Sequence, residues 1–285
     1  MTEGFYAQFE KLEKEKNKEE FKKNKKKLML EIESSKIFNL ELLARIYKLS
    51  SEKASEPGKK AKKLIISADY FLDYARFNKN LSGKNDLWTN PLADAFGLYR
   101  MAFKLLVEEE KYYLGSEILF KLAKTEKEFG YENYAAMDFT NIAILGIEKK
   151  LKPRIIFEAT QQAILFFAKE SHECGLKLLE NVTKYMKDND NDFEKSGLLL
   201  EKHKEILISY IIFLVKKSKS IKDAKTLFEK NHPLTNPNDK SSLIQELLIL
   251  ESKDFNSFST KYSNVRMAGN PYLSELIKNF LIIPK

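Results

Sequence analysis

What this 285-residue chain lacks narrows it before what it contains. A single cysteine, Cys174, excludes any internal disulfide framework. Leu178 and Val182 follow it at i+4 and i+8, a spacing that predicts a core thiol. Ten glycines and seven prolines leave few turn signals, which fits long helices joined tightly. The three histidines, His172, His203 and His232, fall in three separate predicted elements. No Walker loop, G-x-G-x-x-G, C-x-x-C or H-E-x-x-H pattern occurs. His172-Glu173-Cys174 places a histidine near a thiol. Helical residues two apart point about 200° around the axis, so this pair cannot share a proton. Glu108, Glu109 and Glu110 read as a solvated helix end. No catalytic residue, cofactor or metal-ligand set is expected, and the chain does not read as an enzyme.

Long hydrophobic runs are lacking too. The longest, residues 206–215, has ten residues, about half of what a membrane span needs. No apolar leader opens the chain. A cytoplasmic protein without direct membrane insertion is expected. The net charge of +8, from 49 Lys and Arg against 41 Asp and Glu, is a mild excess spread over mixed faces. It favours an acidic partner surface weakly and does not require nucleic acid.

What is present is helical periodicity, densest over residues 91–169. Leu92, Ala95, Phe96, Tyr99, Ala102, Phe103 and Leu106 make one apolar stripe at i, i+3, i+4 and i+7 spacing. Gly115, Ile118, Leu119, Leu122 and Phe129 make a second. Ala135, Phe139, Ile142, Ala143 and Gly146 make a third, and Ile156, Ala159, Ala163, Phe166 and Phe167 a fourth. Small residues at regular turns let a neighbouring helix approach, and the aromatics fill the gaps beside them. None of these helices can bury its face alone, so the expected fold is an all-α array of antiparallel helical hairpins, recurring at about 40 residues.

Before this core, residues 10–27 hold nine Lys and five Glu, with only Leu12 and Phe21 apolar. Lys22, Lys23, Lys25, Lys26 and Lys27 form a candidate docking or nuclear-import cluster. A solvated helix laced with i,i+4 pairs is the competing reading, favoured because no aromatics interleave with the lysines. Residues 38–56 predict a helix stopped by Pro57-Gly58, and a further helix follows from about Lys59 to Phe77. Residues 78–89 read as a loop containing Trp88. Asn90 is expected to cap the next helix, with Pro91 at its first position. Pro153 and Asn270-Pro271 suggest further starts. Trp88 is an anchor filling a groove or a partner contact; Tyr112 and Tyr113 put two aromatics at one helix start. The expected organisation is a charged helical segment over 1–35, the hairpin array over 36–230, a Pro- and Asn-rich connector over 231–239, and helices over 240–285 packing on the array. Residues 187–196 form a polar connector within the array. Residues 206–215, apolar all round, predict a helix buried on every side, and with Tyr112 and Tyr113 they predict apolar surface left over for a partner.

The stretch Asn90-Pro91-Leu92-Ala93-Asp94-Ala95, then Leu119-Phe120-Lys121-Leu122-Ala123, Phe129-Gly130 and Ala136-Met137-Asp138-Phe139-Thr140-Asn141-Ile142-Ala143, resembles the core of the forty-kilodalton huntingtin-associated proteins. The likeness continues through His172-Glu173-Cys174-Gly175-Leu176 and covers roughly residues 40–190. The proline-rich insert of familiar members is replaced by residues 187–196, and the surface is Lys- and Asn-rich where theirs is Ala- and Gln-rich. The resemblance implies a tetratricopeptide-like, right-handed superhelical scaffold without enzymatic activity. Its implied partner is huntingtin, bound one-to-one, with a protein of this kind seated between huntingtin's helical-repeat lobes and holding them together. A Rab5-type small GTPase and early-endosome traffic are also implied, with the early endosome or nucleus as further locations. The alternative is an adaptor similar to soluble NSF attachment proteins, binding SNARE helices and an ATPase. Those proteins end in an acidic, leucine-bearing tail, whereas this chain ends Leu281-Ile282-Ile283-Pro284-Lys285.

Overall fold

A computed structural model of the chain describes residues 2–35, 39–82, 86–189, 197–218, 222–224, 226–227 and 271–281. Among them every regular element is a helix and no strand occurs. The predicted connector at 231–239, residues 190–196 of the polar connector, and residues 240–270 of the expected C-terminal helices lie outside the described residues. Two units divide the chain, residues 1–122 and 123–285.

The first unit opens with α1 (Thr2–Lys14), α2 (Lys18–Ser34) and α3 (Leu40–Glu52). Asn17 starts α2 by accepting from the backbone N–H groups of Glu19 and Glu20 at 2.9 and 3.2 Å. Both glutamates also sit favourably at the positive end of the helix dipole. Asn39 caps α3 in the same way, accepting from Leu42 N–H at 2.9 Å. The highly charged stretch is anchored by its sparse apolar residues: Phe9, Leu12, Phe21, Leu28 and Ile32 form one core cluster with Leu42, Leu43 and Ile46. Each such burial contributes about 1.5–3 kcal/mol, enough to hold a helix that is otherwise solvated.

Next comes α4 (Pro57–Ser82), a short 3₁₀ turn (Asp86–Trp88), α5 (Thr89–Glu108) and the start of α6 (Tyr112–Glu128). Pro57 does not merely stop α3; it begins α4, where its missing N–H costs nothing. The loop expected at 78–89 is mostly structured, because α4 continues to Ser82 and the 3₁₀ turn leads into α5. Asn90 is no cap. Trp88 takes the capping position with helical φ and ψ and makes no side-chain cap hydrogen bond, which puts Asn90 inside the first turn. Buried Ala44, Ala61 and Ala68 keep α3 and α4 close, and the Ser67 hydroxyl donates to the Ala44 carbonyl at 2.7 Å.

The second unit contains α7 (Glu132–Glu148), α8 (Pro153–Glu170), α9 (His172–Asp188), α10 (Gly197–Ser218) and α11 (Pro271–Leu281). Of the expected stripes, Ala95, Tyr99 and Leu122 are buried in the first unit, and Phe139, Ile142, Ile156 and Ala163 in the second. All of residues 206–215 are buried, among α8, α9 and α11. The predicted helix buried on every side is present, but it offers no surplus surface to a partner. The chain consumes that apolar surface itself. Two polar contacts hold α11: Asn279 donates to the Leu165 carbonyl at 2.9 Å, and the Tyr272 and Ser209 hydroxyls share a hydrogen bond of 2.7 Å.

Cys174 also departs from expectation, since its thiol is exposed. The buried face of α9 centres on Gly175, Leu179, Val182 and Met186. At 100° per residue Cys174 lies about 110° from that centre, whereas Leu178 is nearer and still reaches the core. A spacing of i+4 therefore described the edge of the stripe rather than its middle.

Three helix ends repeat one construction. Glu110, Gly130 and Lys150 each take left-handed φ, at 58°, 85° and 52°. After each, the following residue closes the last turn: Lys111 N–H to Leu106 at 2.8 Å, Tyr131 N–H to Glu126 at 2.8 Å, and Leu151 N–H to Gly146 at 2.9 Å. This 6→1 closure satisfies carbonyls the helix end would otherwise leave open. The joints fall 20 residues apart.

Candidate functional site

The residues singled out from sequence fall into three groups on separate elements: the lysines on α2, Trp88 in the 3₁₀ turn, and the tyrosines on α6. Lys22 and Lys27 are exposed on α2 and paired within their own helix, to Glu19 at 2.8 Å and Glu31 at 3.8 Å. Lys23 and Lys26 are exposed, while Lys25 is half-buried with its ammonium 5.9 Å from the Tyr47 ring centre. Trp88 is half-buried in the 3₁₀ turn, with the Lys79 ammonium 5.5 Å from its ring centre. Tyr112 is half-buried and Tyr113 is 47% exposed at the start of α6.

One polar cluster in the first unit joins Asp69 on α4 with Tyr99 on α5 and Lys121 on α6. The fully buried Tyr99 donates its hydroxyl proton to Asp69, and Lys121 pairs with the same carboxylate oxygen at 2.5 Å. Burial first, and then the Asp69 hydrogen bond, push the Tyr99 hydroxyl far above the ordinary tyrosine range. Such a hydroxyl serves as a donor, not as an acid, and the cluster ties three helices together. Asp69→Ala leaves that hydroxyl buried without its acceptor and should cost about 1–3 kcal/mol in denaturant unfolding. Adding Tyr99→Phe should return most of the loss; a double variant no better than the single one would show that the hydrogen bond is not what Asp69 provides.

His172 begins α9 half-buried, its ring edge-on to Phe213 at 6.2 Å between centres. Burial first, and then Lys216, hold it below the usual histidine range, against a backbone hydrogen bond at Ala168 that raises it. Among the described residues, no three His, Cys, Asp or Glu side chains converge as a metal would require. None of their helices is long and apolar enough to cross a membrane.

The second unit carries a surface that sequence reasoning missed. On α7, the face opposite the buried stripe exposes Tyr134 at 57%, Met137 at 60% and Ile144 at 36%, with Tyr131 just before the helix at 36%. Tyr134, Met137 and Ile144 follow helical spacing, so they form one outward row interrupted by exposed Asn141. At its C-terminal end the row meets a groove of about 600 Å³ between α7 and α9, with Ile144, Ile147, Asn181, Lys184 and Tyr185 among its walls. Apolar side chains there alternate with Lys150, Lys184, Glu148 and Asp188, which suits a mixed protein surface rather than a reaction centre. A signal was available in the sequence: α7 is apolar on two faces, and one core cannot use both. The core stripe is the stronger of the two patterns, which masks the second.

No known protein family matches the chain, and no curated protein is similar to it.

Proposed function

We propose that the protein is a non-enzymatic scaffold, a tetratricopeptide-like curved array of helical hairpins that holds a larger helical protein. The observation that carries this reading is the exposed apolar row of α7 beside the α7–α9 groove. Exposed apolar rows that adjoin a concave, mixed-charge groove are the usual form of a helix-docking surface. The 20-residue repetition of helix joints supports the array. The resemblance at residues 90–143 and 172–176 makes huntingtin the partner proposed first, with a Rab5-type small GTPase second. The SNARE-binding adaptor is the competing assignment.

Co-purification with the tagged chain tests it. A very large helical-repeat protein recovered one-to-one supports the scaffold, whereas SNAREs with an ATPase favour the adaptor. Met137→Glu with Ile144→Glu should reduce partner recovery by about tenfold or more. The same variant should shift stability by no more than about 0.5 kcal/mol, as exposed substitutions do. Undiminished recovery would remove the α7 row as the docking face.

A further inference from the structure

The lysines of residues 10–27 are not one cluster once folded. Lys18, Lys22 and Lys25 follow i, i+4, i+7 spacing on α2, while Lys59 and Lys63 follow i, i+4 on α4. Both rows meet at the C-terminal half of α3. Lys25 reaches over Tyr47, and Lys63 donates to the Ser50 carbonyl at 2.8 Å. Tyr47 and Ser50 are one helical turn apart, so two ammonium groups from different helices arrive at the same short stretch. Lys53 leaves this stretch on the other side, its ammonium 4.7 Å from the Phe21 ring centre. Lysine charge is therefore concentrated there, with Glu33 acting on Tyr47 as an opposing carboxylate. Glu19 and Glu56 answer Lys22 and Lys59 at 2.8 and 2.6 Å, which leaves three of the five lysines uncompensated by these pairs.

Half-buried Lys63 is held below the ordinary lysine range by burial first, and then by repulsion from Lys25, Lys18, Lys59 and Lys22. Lys25 is lowered by burial alone. Part of this arrangement is explained by α3 itself, whose terminal carbonyls attract cations. One or two lysines satisfy that attraction, and five exceed it. An anion seated among them would relieve the repulsion. No arginine takes part (Arg45 is held by Glu41 at 2.7 Å), so the planar fork that grips single carboxylates is missing. Compact ammonium groups converging from two helices instead match a small, dense charge.

We propose that Lys18, Lys22, Lys25, Lys59 and Lys63 form a binding site for a compact anion bearing several phosphate groups. This goes beyond the docking function, which uses α7 and α9.

Titration calorimetry of the full chain with inorganic tripolyphosphate, at one fixed salt concentration, tests the site. One ligand per chain is expected. Lys25→Gln with Lys63→Gln should weaken binding by about tenfold or more, and Lys23→Gln with Lys26→Gln by less than about twofold. Because Lys63 also caps α3, Lys18→Gln with Lys22→Gln serves as a second variant that leaves the core alone; it should weaken binding by about threefold or more. Equal losses in the Lys23/Lys26 and Lys18/Lys22 pairs, or no binding at millimolar tripolyphosphate, would overturn the proposal. So would an oligoglutamate of the same charge that binds as tightly, since the site would then suit an acidic protein. Vesicles containing phosphoinositide separate the sources. Binding that tripolyphosphate displaces identifies a lipid headgroup, and no vesicle binding identifies a soluble phosphate compound. Vesicle binding that tripolyphosphate does not displace counts against the site.

Discussion

Phe139→Ala should destabilise the second unit by about 3–5 kcal/mol, a large share of the stability of most domains. Phe139 is 1% exposed in the middle of α7, on the row with Ala135, Ile142, Ala143 and Gly146. Its ring borders a partly open pocket of about 70 Å³ that Leu165 and Phe166 of α8 also line. Truncation would enlarge that space rather than let neighbours close it. The surrounding small residues have no side-chain length with which to refill the space. The cost then includes both lost transfer free energy and the cavity that persists. Denaturant unfolding measures it, with an unchanged slope showing that the denatured state is not the origin. A midpoint equal to that of the unaltered chain would mean that the α7 stripe faces solvent.

Gly175→Ala sets two effects of opposite sign against each other. Alanine is the better helix former by about 1 kcal/mol, so propensity alone predicts a gain. Space predicts the reverse. A Cβ at Gly175 would meet the Phe213 ring, 2.8 Å from Cζ, and would lie 3.0 Å from Cβ of Phe167. Phe213 is 1% exposed on α10, enclosed by its neighbours. Overpacking of this kind costs about 1–3 kcal/mol and sometimes more, so a net loss is expected. Gly97 is the matched control, lying within α5 with nothing within 4 Å of an added Cβ. Gly97→Ala should stabilise by about 0.5–1 kcal/mol. Thermal melts of the two variants should move in opposite directions. A Gly175→Ala protein that melts higher would show that α9 and α10 are not packed this closely.

How far the fold could be read from sequence depended on the distance over which each signal acts. The stripes of α5 to α8 were legible because periodicity is local and the packed face dominates it. Pro153 opens α8 as its restricted φ requires. Asn90 misled because a capping residue must itself hold non-helical φ and ψ, and the chain has already turned helical at Trp88, two residues earlier. Residues 206–215 were legible as a buried helix but not as a satisfied one. Their covering includes Tyr272 of α11, 63 residues beyond Ser209 in the chain. The lysine site was hidden for the same reason. Lys25 and Lys63 belong to different helices, and no spacing rule connects them.

The left-handed joints at Glu110, Gly130 and Lys150 bear on the kinetics of folding. Each is closed by hydrogen bonds spanning six residues, so these three helix-to-helix reversals can form before any distant part of the chain is in place. Loops this short carry little closure entropy, and a chain rich in sequence-local contacts reaches its transition state quickly. Two of the three joints achieve this without glycine, holding Glu110 and Lys150 at backbone angles that L side chains disfavour by about 1 kcal/mol or more. Glycine at either position would relieve that cost, so the stability of these two reversals is set partly at exposed residues outside the core.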